Sequence, residues 1–179
     1  LTNVCGDEQL ALREISLDMI TPDPIESVRF GGNEKTFSVS QNENDYIRLV
    51  QRGPTHYQPD RDWMFQVMDI RRDEGVGTLA TGSKTEGWFE MKTGGFSLRA
   101  FVQDFNEKHS KGFGASVDRG RILLWPKEAE PFIFPRGSAV SHRIVLDLGQ
   151  GEDQRIQRIQ KVLASPPRVV VEPRRYCET

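Results

Sequence analysis

Aromatic and basic side chains are interleaved along several predicted strands of this 179-residue sequence. Aromatic rings can stack on unpaired bases, while neighbouring lysines and arginines contact the phosphates that link those bases. Each stacked base contributes about 1–3 kcal/mol to binding. We therefore predict a surface for single-stranded nucleic acid, in which the phosphates contact Arg48, Arg52, Lys84, Lys92, Arg119 and Arg121, and the bases stack on Tyr46, Tyr57 and Trp88. The alternative for the three tryptophans is a place in the hydrophobic core.

Other kinds of chemistry have little support in the sequence. The glycine-rich stretch GTLATGSKT departs from the phosphate-binding loop pattern because Ser83 separates Gly82 from Lys84. The three histidines are far apart in the sequence, and neither Cys-x-x-Cys nor His-Glu-x-x-His occurs, which argues against a zinc site. The Gly-x-Ser-x-Gly pattern of a nucleophile elbow is also missing. We expect neither catalysis, nor a cofactor, nor a bound metal.

The charge of the sequence is unevenly distributed. The net charge is −2, yet residues 1–60 contain five Lys/Arg against ten Asp/Glu. Residues 61–125 contain ten against nine, and residues 126–179 contain nine against seven. Domains with a general affinity for nucleic acid are usually strongly basic. The balance here counts against such an affinity, although a local basic groove is compatible with it.

The two cysteines, Cys5 and Cys177, lie near opposite ends of the sequence. A disulfide between them would suit an oxidising compartment, whereas two separate thiols would suit an intracellular protein. No stretch approaches the roughly 18 consecutive apolar residues of a membrane span, so we expect no membrane association. The alternative function is a secreted, β-rich interaction module with a Cys5–Cys177 disulfide and no nucleic-acid binding.

Alternating apolar and polar residues predict that β-strands make up most of the fold. In KTFSVSQNENDYIRLVQRG, residues 35–53, two alternating segments flank a polar turn, which is typical of a β-hairpin. Residues 1–30 are ambiguous between a short helix capped by Asp7 and a strand with Ile15, Leu17 and Met19 on one face. Further strands are predicted at 62–73, 87–91, 120–126, 130–135, 141–148 and 168–173, with a flexible glycine-rich connection at 74–87.

Two segments have the period of a helix instead. The first, FSLRAFVQDFNEKHSKGFG, has an apolar stripe formed by Leu98, Phe101, Val102 and Phe105. The second, EDQRIQRIQKVLAS, has an apolar stripe formed by Ile156, Ile159 and Leu163. We therefore predict an α+β fold with largely antiparallel sheets and two amphipathic helices. The chain is predicted to form a single domain, 1–179, whose halves, 28–112 and 115–165, each contain strands followed by a helix.

This layout resembles the ββββα unit of the PC4, PUR and Whirly single-stranded nucleic-acid-binding proteins. KTFSVSQNENDYIRLVQ resembles the first hairpin of that unit, and GGFSLRAFVQDFNEKH resembles the place where its fourth strand runs into the helix. Whirly proteins, and the kinetoplastid mitochondrial RNA-binding proteins that share their fold, contain two such units. The sequence departs from the family pattern because it lacks a lysine-glycine-rich strand and is not basic.

The resemblance implies a non-enzymatic protein that binds single-stranded nucleic acid across its sheets and promotes strand annealing. RNA is favoured over DNA as the ligand, and the mitochondrion is the compartment suggested by the RNA-binding relatives. The helices of such proteins form oligomer contacts, so a homo-oligomer or a hetero-oligomer is expected. A more basic partner subunit would reconcile the acidic first third of the sequence with this function.

Overall fold

Antiparallel β-strands form most of the computed structural model. The structure describes residues 10–32, 35–42, 45–51, 65–71, 75–106, 111–125, 132–134, 139–149 and 153–164. Its elements are β1 (Leu10–Leu12), β2 (Ile15–Ile20), β3 (Ile25–Phe30), β4 (Thr36–Ser38), β5 (Tyr46–Gln51), β6 (Phe65–Arg71), β7 (Gly75–Gly82), β8 (Trp88–Thr93), β9 (Ser97–Val102), β10 (Gly112–Ala115), β11 (Arg119–Trp125), β12 (Phe132–Phe134), β13 (Ile144–Gly149) and α1 (Asp153–Ala164).

The strands form two large sheets. Sheet A has six strands in the order β2-β11-β10-β5-β6-β7, and sheet B has five strands in the order β13-β9-β8-β3-β4. Every pair of neighbouring strands is antiparallel, including the separate pair β1-β12. The prediction of largely antiparallel sheets is therefore confirmed, and both predicted halves of the chain contribute strands to both sheets.

One hydrophobic core lies between the two sheets. Phe113 of sheet A stacks on Phe89 of sheet B with 4.7 Å between the ring centroids, and on its other side lies Phe105 at 4.6 Å. All three rings are almost completely buried. Along each strand alternate side chains point to this core, as the pleat of a β-strand requires. The inward-facing residues include Leu49, Val67, Ile122, Val28, Met91 and Ala100.

The helix α1 packs on the outer face of sheet B. Ile156 joins Trp88 and Phe101 in a second apolar cluster, and Ile159 and Leu163 pack against that cluster. These are the three residues of the apolar stripe predicted for the second helix, so this helix is confirmed. It is 12 residues long, and among the described residues no helix is long and apolar enough to cross a membrane.

The first predicted helix is wrong, because its sequence forms strand β9, a turn and strand β10. All six residues of β9 are buried. Leu98, Ala100 and Val102 face the core between the sheets, whereas Phe101 faces α1. A strand that is covered on both faces loses the simple alternation of apolar and polar residues. The spacing that suggested a helix therefore arose from two buried faces of one strand, together with Phe105 in the turn that follows it. The repeated strands-then-helix unit of the Whirly-like layout is not confirmed.

The predicted hairpin at 35–53 is also wrong, although both of its strands exist. β4 pairs with β3 in sheet B, whereas β5 pairs with β6 and β10 in sheet A. The segment between them therefore crosses from one sheet to the other, with Val39 buried in the core. The alternating pattern identified the strands correctly, but it does not determine which strand pairs with which.

The other predicted elements agree with the structure where it describes them, with one exception. The glycine-rich stretch at 74–87, predicted as a flexible connection, forms the edge strand β7 over most of its length. In the ambiguous first 30 residues the strand alternative is confirmed by β2 and β3. The predicted strands at 87–91, 120–126, 130–135 and 141–148 correspond to β8, β11, β12 and β13. The predicted strand at 168–173 lies outside the described residues.

Candidate functional site

The residues predicted to contact nucleic acid do not share one surface. Arg52 and Tyr57 lie outside the described residues, as do Cys5 and Cys177. Tyr46, Arg48, Arg119 and Arg121 belong to sheet A, whereas Trp88 and Lys92 belong to sheet B. Lys84 lies between the two sheets in sequence, in the segment that joins β7 to β8. The structure therefore divides the predicted set among different parts of the molecule.

Trp88 is a core residue, which is the alternative that the sequence left open for the tryptophans. Its side chain is 7% exposed and packs beneath α1 with Phe101. Its indole nitrogen donates a 2.9 Å hydrogen bond to Glu86, and the guanidinium of Arg29 lies 5.4 Å from the ring centroid. Because the ring is covered in this way, it offers no free face on which a base could stack.

The arginines of sheet A are engaged within the protein. Arg121 donates two hydrogen bonds to the carboxylate of Asp18, at 2.6 and 2.7 Å. These bonds lower the pKa of the Asp18 carboxyl below its ordinary value, although partial burial opposes the shift. Arg119 forms a similar exposed pair with Asp118, and Arg48 is 4% exposed. A phosphate would have to compete with a carboxylate at Arg119 and at Arg121.

Tyr46 lies on the outer face of sheet A, beside Arg48 and Arg121. Gly114 pairs with both arginines in the sheet, and a Cβ atom at Gly114 would overlap the hydroxyl of Tyr46. The absence of a side chain at Gly114 therefore makes room for the tyrosine. The hydroxyl is buried and has no hydrogen-bond partner among the described residues. Burial raises the pKa of Tyr46 to about 12.

We expect Tyr46 to titrate later than a solvated tyrosine when the pH is raised. In a spectrophotometric titration of the folded protein, which has three tyrosines, one component should appear near pH 12 and should be missing from Tyr46→Phe. Because the pKa is higher in the folded state than the ordinary value of 10.0, the neutral phenol stabilises the folded protein below pH 10, and this contribution is lost as the pH rises towards 12. An unchanged titration curve in Tyr46→Phe would contradict the buried environment.

Lys84 and Lys92 are both exposed, but their surroundings differ. Lys92 projects from β8, whereas Lys84 lies at the edge of an open cavity of about 750 Å³ between α1 and the ends of the strands. We call this cavity the α1 cleft. It is lined by Lys84, Thr85, Glu86, Gly87, Phe101, Val102, Gln103, Asp104, Phe105, Asn106, Gln157, Gln160, Lys161, Leu163 and Ala164. Lys84 is the predicted phosphate ligand that lies in this cleft, so among the predicted residues it is the one that belongs to a concave site.

One wall of the α1 cleft is a turn held by buried polar groups. The side-chain amide of Asn106 donates a 2.6 Å hydrogen bond to the carbonyl of Thr85, and its oxygen accepts bonds from the Thr85 hydroxyl and from Gln51. The ammonium of Lys111 donates to the carbonyls of Asp104 and Phe105, at 2.8 and 3.2 Å. Thr85, Gln51 and Lys111 are at most 5% exposed. These bonds fix the shape of the wall before any ligand binds.

Asp104 in the same turn has an uncommon backbone conformation. Its φ angle is 54°, and among the described residues it is the one non-glycine residue with positive φ. Aspartate is one of the residues that tolerate this left-handed region best, yet the conformation still costs free energy. The hydrogen bond from Lys111 to the Asp104 carbonyl helps to hold it. Strained residues of this kind are often found at binding sites.

The opposite wall of the cleft is one face of α1. Gln157, Gln160, Lys161 and Ala164 follow the spacing i, i+3, i+4 and i+7, which places them on one side of a helix. Gln160 donates a 3.0 Å hydrogen bond to Glu86, whose carboxylate also accepts the bond from Trp88. The helix is therefore connected to the opposite wall at this point. The cleft is open elsewhere, and its amide groups can meet a ligand.

The sequence reasoning missed most of this site. It identified the apolar stripe of α1 but assigned no role to the glutamines that recur every three residues in QRIQRIQKV. That repeat was the available signal, because it places several amide groups along one helix. The turn formed by residues 103–106 was hidden by the incorrect helix prediction. No sequence signal pointed to Asn106 or Asp104 as neighbours of Gln157.

In the part of the chain that the structure describes, the fold and the cleft define a class of protein: a two-sheet antiparallel β-sandwich with one packed helix and an open cleft of mixed polar and apolar lining beside it. In the described ranges, no group of three His, Cys, Asp or Glu side chains is placed to hold a metal ion. No protein-family model matches the chain. No curated protein is significantly similar to it.

Proposed function

We propose that this protein is a non-catalytic β-sandwich interaction module that binds its ligand in the α1 cleft. The observation that carries this proposal is the rigid wall of the cleft, where buried Lys111 and Thr85, together with the more exposed Asn106, hold a strained turn by hydrogen bonds. Groups that are fixed before binding lose little conformational entropy when the ligand arrives. Preorganisation of this kind supports recognition of a ligand more than a purely structural role.

The size and lining of the α1 cleft support the proposal. Its volume of about 750 Å³ falls in the range of roughly 300–1,000 Å³ typical of ligand pockets. Apolar surface from Leu163 and Ala164 lies beside hydrogen-bonding groups such as Gln157 and Lys84. Ligand pockets commonly combine an apolar lining with a few polar groups that orient the ligand.

Single-stranded nucleic-acid binding stays a prediction, as do oligomer formation with a basic subunit and a mitochondrial location. The buried ring of Trp88 and the carboxylate partner of Arg121 count against the sheet-face surface expected from the sequence. The secreted alternative agrees with an interaction module, but Cys5 and Cys177 lie outside the described residues. A Cys5–Cys177 disulfide and secretion therefore stay predictions as well.

A fragment screen followed by NMR tests the proposed site, since a protein of 20.4 kDa is accessible to amide-resolved spectra. We expect fragments to shift the amide signals of residues 84–87, 101–106 and 157–164. Gln157→Ala should weaken those fragments about fivefold, because one hydrogen bond contributes roughly 1 kcal/mol. The matched control is Gln154→Ala on the same helix, which is exposed and does not line the cleft.

Three outcomes of this screen would count against the α1 cleft as the ligand site. Fragments could cluster at another surface, Gln154→Ala and Gln157→Ala could have equal effects, or no fragment could bind at millimolar concentration. In parallel, fluorescence anisotropy with labelled single-stranded RNA across a salt series tests the nucleic-acid prediction. Salt-sensitive binding that Lys84→Met leaves unchanged would place nucleic acid elsewhere and would contradict the interaction module proposed here.

A further inference from the structure

We infer that the ligand of the α1 cleft is an extended peptide segment of a partner protein, with at least one acidic side chain. This inference rests on the proposed function and specifies its ligand. It follows from three properties of the lining: its free amide groups, its mixed charge, and the burial of its aromatic rings. Each property selects between a peptide and the other polymers that an open cleft could bind.

The amide side chains of the cleft complement a peptide backbone. Gln103 and Gln157 have no side-chain hydrogen bond to any residue that the structure describes, and Gln160 uses only its NH₂ group, on Glu86. A side-chain amide offers both an NH₂ donor and a carbonyl acceptor. A peptide unit presents the matching pair of one N–H and one C=O. Gln103 and Gln157, on opposite walls, can therefore each pair with a peptide unit.

The length of the helical wall suits about three peptide residues. Gln157 and Ala164 are seven positions apart, and at about 1.5 Å per residue this part of α1 spans roughly 10 Å. An extended chain advances about 3.3 Å per residue. Three residues of a peptide running along α1 would therefore pass Gln157, Gln160 and Lys161 in turn.

The charges of the lining favour a peptide with an acidic residue over a polyanion. Lys84 and Lys161 are exposed and form no ion pair with any residue that the structure describes. Glu86 and Asp104 line the same cleft, so the four formal charges cancel, but the Glu86 carboxylate already accepts hydrogen bonds from Trp88 and Gln160. A nucleic-acid backbone would carry its repeated phosphates past both carboxylates, whereas a peptide can place a single carboxylate beside a lysine. Complementary charge of this kind provides specificity.

The aromatic residues of the lining are not available for stacking. Phe101 is 1% exposed and Phe105 is 3% exposed, because both rings belong to the apolar clusters. Proteins that bind single strands without sequence preference use exposed rings as stacking platforms for bases. Among the described residues, no other aromatic side chain lines the cleft. The remaining apolar surface, Leu163 and Ala164, fits a small aliphatic side chain of a peptide.

Selection from a displayed library of random dodecapeptides tests this inference with the full chain. The wild-type protein is the target, and the variant Gln157→Ala/Lys161→Met serves for counter-selection. We expect the recovered peptides to share an Asp or Glu beside a small aliphatic residue. Synthetic copies of these peptides should bind the protein more weakly as the salt concentration is raised. Lys84→Met should weaken the binding of such peptides about two- to fivefold, and the matched control Lys92→Met should leave it unchanged.

The possible failures are distinguishable from failure of the proposed function. Peptides that bind wild type and the counter-selection variant equally would overturn the inference, since their site would lie outside the cleft. If fragments bind the cleft but no peptide is enriched, the inference that the ligand is a peptide is wrong, whereas the proposed function as an interaction module still holds. Preferential binding of labelled RNA or of an oligosaccharide panel to the cleft would also overturn it. If neither fragments nor peptides bind, the proposed function itself fails.

Discussion

Arg99→Ala is expected to lower the free energy of unfolding by about 3–5 kcal/mol. The Arg99 side chain is completely buried, and its guanidinium contacts the carboxylates of Glu90, at 2.8 Å, and Asp147, at 3.0 Å. These carboxylates are themselves buried, with side-chain exposures of 1% and 5%. Removing the guanidinium would take away the one cation that both desolvated acids share and would leave each with a single, more exposed arginine. Breaking a buried ion pair by removing one partner is strongly destabilising.

The arrangement around Arg99 is a row of alternating charges across four strands. In the register of sheet B, Asp147 lies opposite Arg99, Arg99 opposite Glu90, and Glu90 opposite Arg29. Arg29 contacts Glu90 at 3.1 Å, which adds a second cation to the row. Opposite charges on directly facing strand positions stabilise a sheet. Each charged side chain of the row therefore has a partner of opposite charge. Without these partners, burying the charges on the covered face of sheet B would cost free energy.

The same row fixes the helix that forms one wall of the α1 cleft. Arg155 of α1 pairs with Asp147, the carboxylate that also contacts Arg99. Loss of Arg99 should therefore disturb the packing of α1 against sheet B as well as the sheet itself. We expect the amide signals of residues 153–164 to shift in folded Arg99→Ala, and ligand binding in the cleft to weaken with them.

A matched control for Arg99→Ala is Arg119→Ala. Arg119 pairs with Asp118 at 3.0 Å, but both side chains are nearly half exposed. An exposed pair of this kind contributes little to stability, so Arg119→Ala should be close to wild type in urea denaturation. Arg99→Lys should not restore stability, because one ammonium cannot reproduce the planar fork that reaches two carboxylates. Equal losses in the two alanine variants would contradict the assigned role of Arg99.

The positions of most strands could be predicted from the sequence, but their partners could not. Alternation of side chains is a local property, and it correctly located β5 and β6. The pairing of β5 with β10 joins residues more than 60 positions apart, and the pattern within each strand contains no information about that choice. This is why two real strands, β4 and β5, were combined into a hairpin that does not exist.

The error at β9 has a related cause. In the sequence, an arginine in the middle of a strand indicates a solvent-exposed position. Arg99 is instead buried and paired, and it is as inaccessible to solvent as Phe101 beside it. The helical spacing of the apolar residues then became the stronger signal. Tertiary contacts from α1 and from Glu90 decide the burial of this strand, and a single sequence does not show those contacts.

The candidate site was only partly accessible to sequence reasoning for the same reason. Lys84 was selected as a surface cation, and it does line the cleft. The wall opposite α1, however, depends on Lys111 reaching back to Asp104 and on Asn106 reaching Thr85. Asn106 and Thr85 are 21 positions apart in the sequence. Hydrogen bonds over such separations cannot be predicted before the strands are correctly paired.

Phe113→Ala should be as destabilising as the loss of Arg99, through packing instead of charge. Phe113 has no exposed surface and lies between the rings of Phe89, at 4.7 Å, and Phe105, at 4.6 Å. Truncation would leave a cavity at the contact between the two sheets. Replacing a buried phenylalanine by alanine costs about 3–5 kcal/mol, which corresponds to a fall in Tm of about 6–20 °C for a domain of this size.

The matched control for Phe113→Ala is Phe37→Ala. Phe37 packs at the border of the same core, 6.1 Å from Phe30, and is only partly buried. Its truncation should cost about 1–2 kcal/mol, because less apolar surface is returned to water. Thermal unfolding of both variants, followed by circular dichroism, measures the difference. Because Phe105 follows directly after Asp104, loss of its stacking partner should also loosen the rigid wall of the α1 cleft. If Phe113→Ala unfolds no earlier than Phe37→Ala, the aromatic stack does not join the two sheets as described.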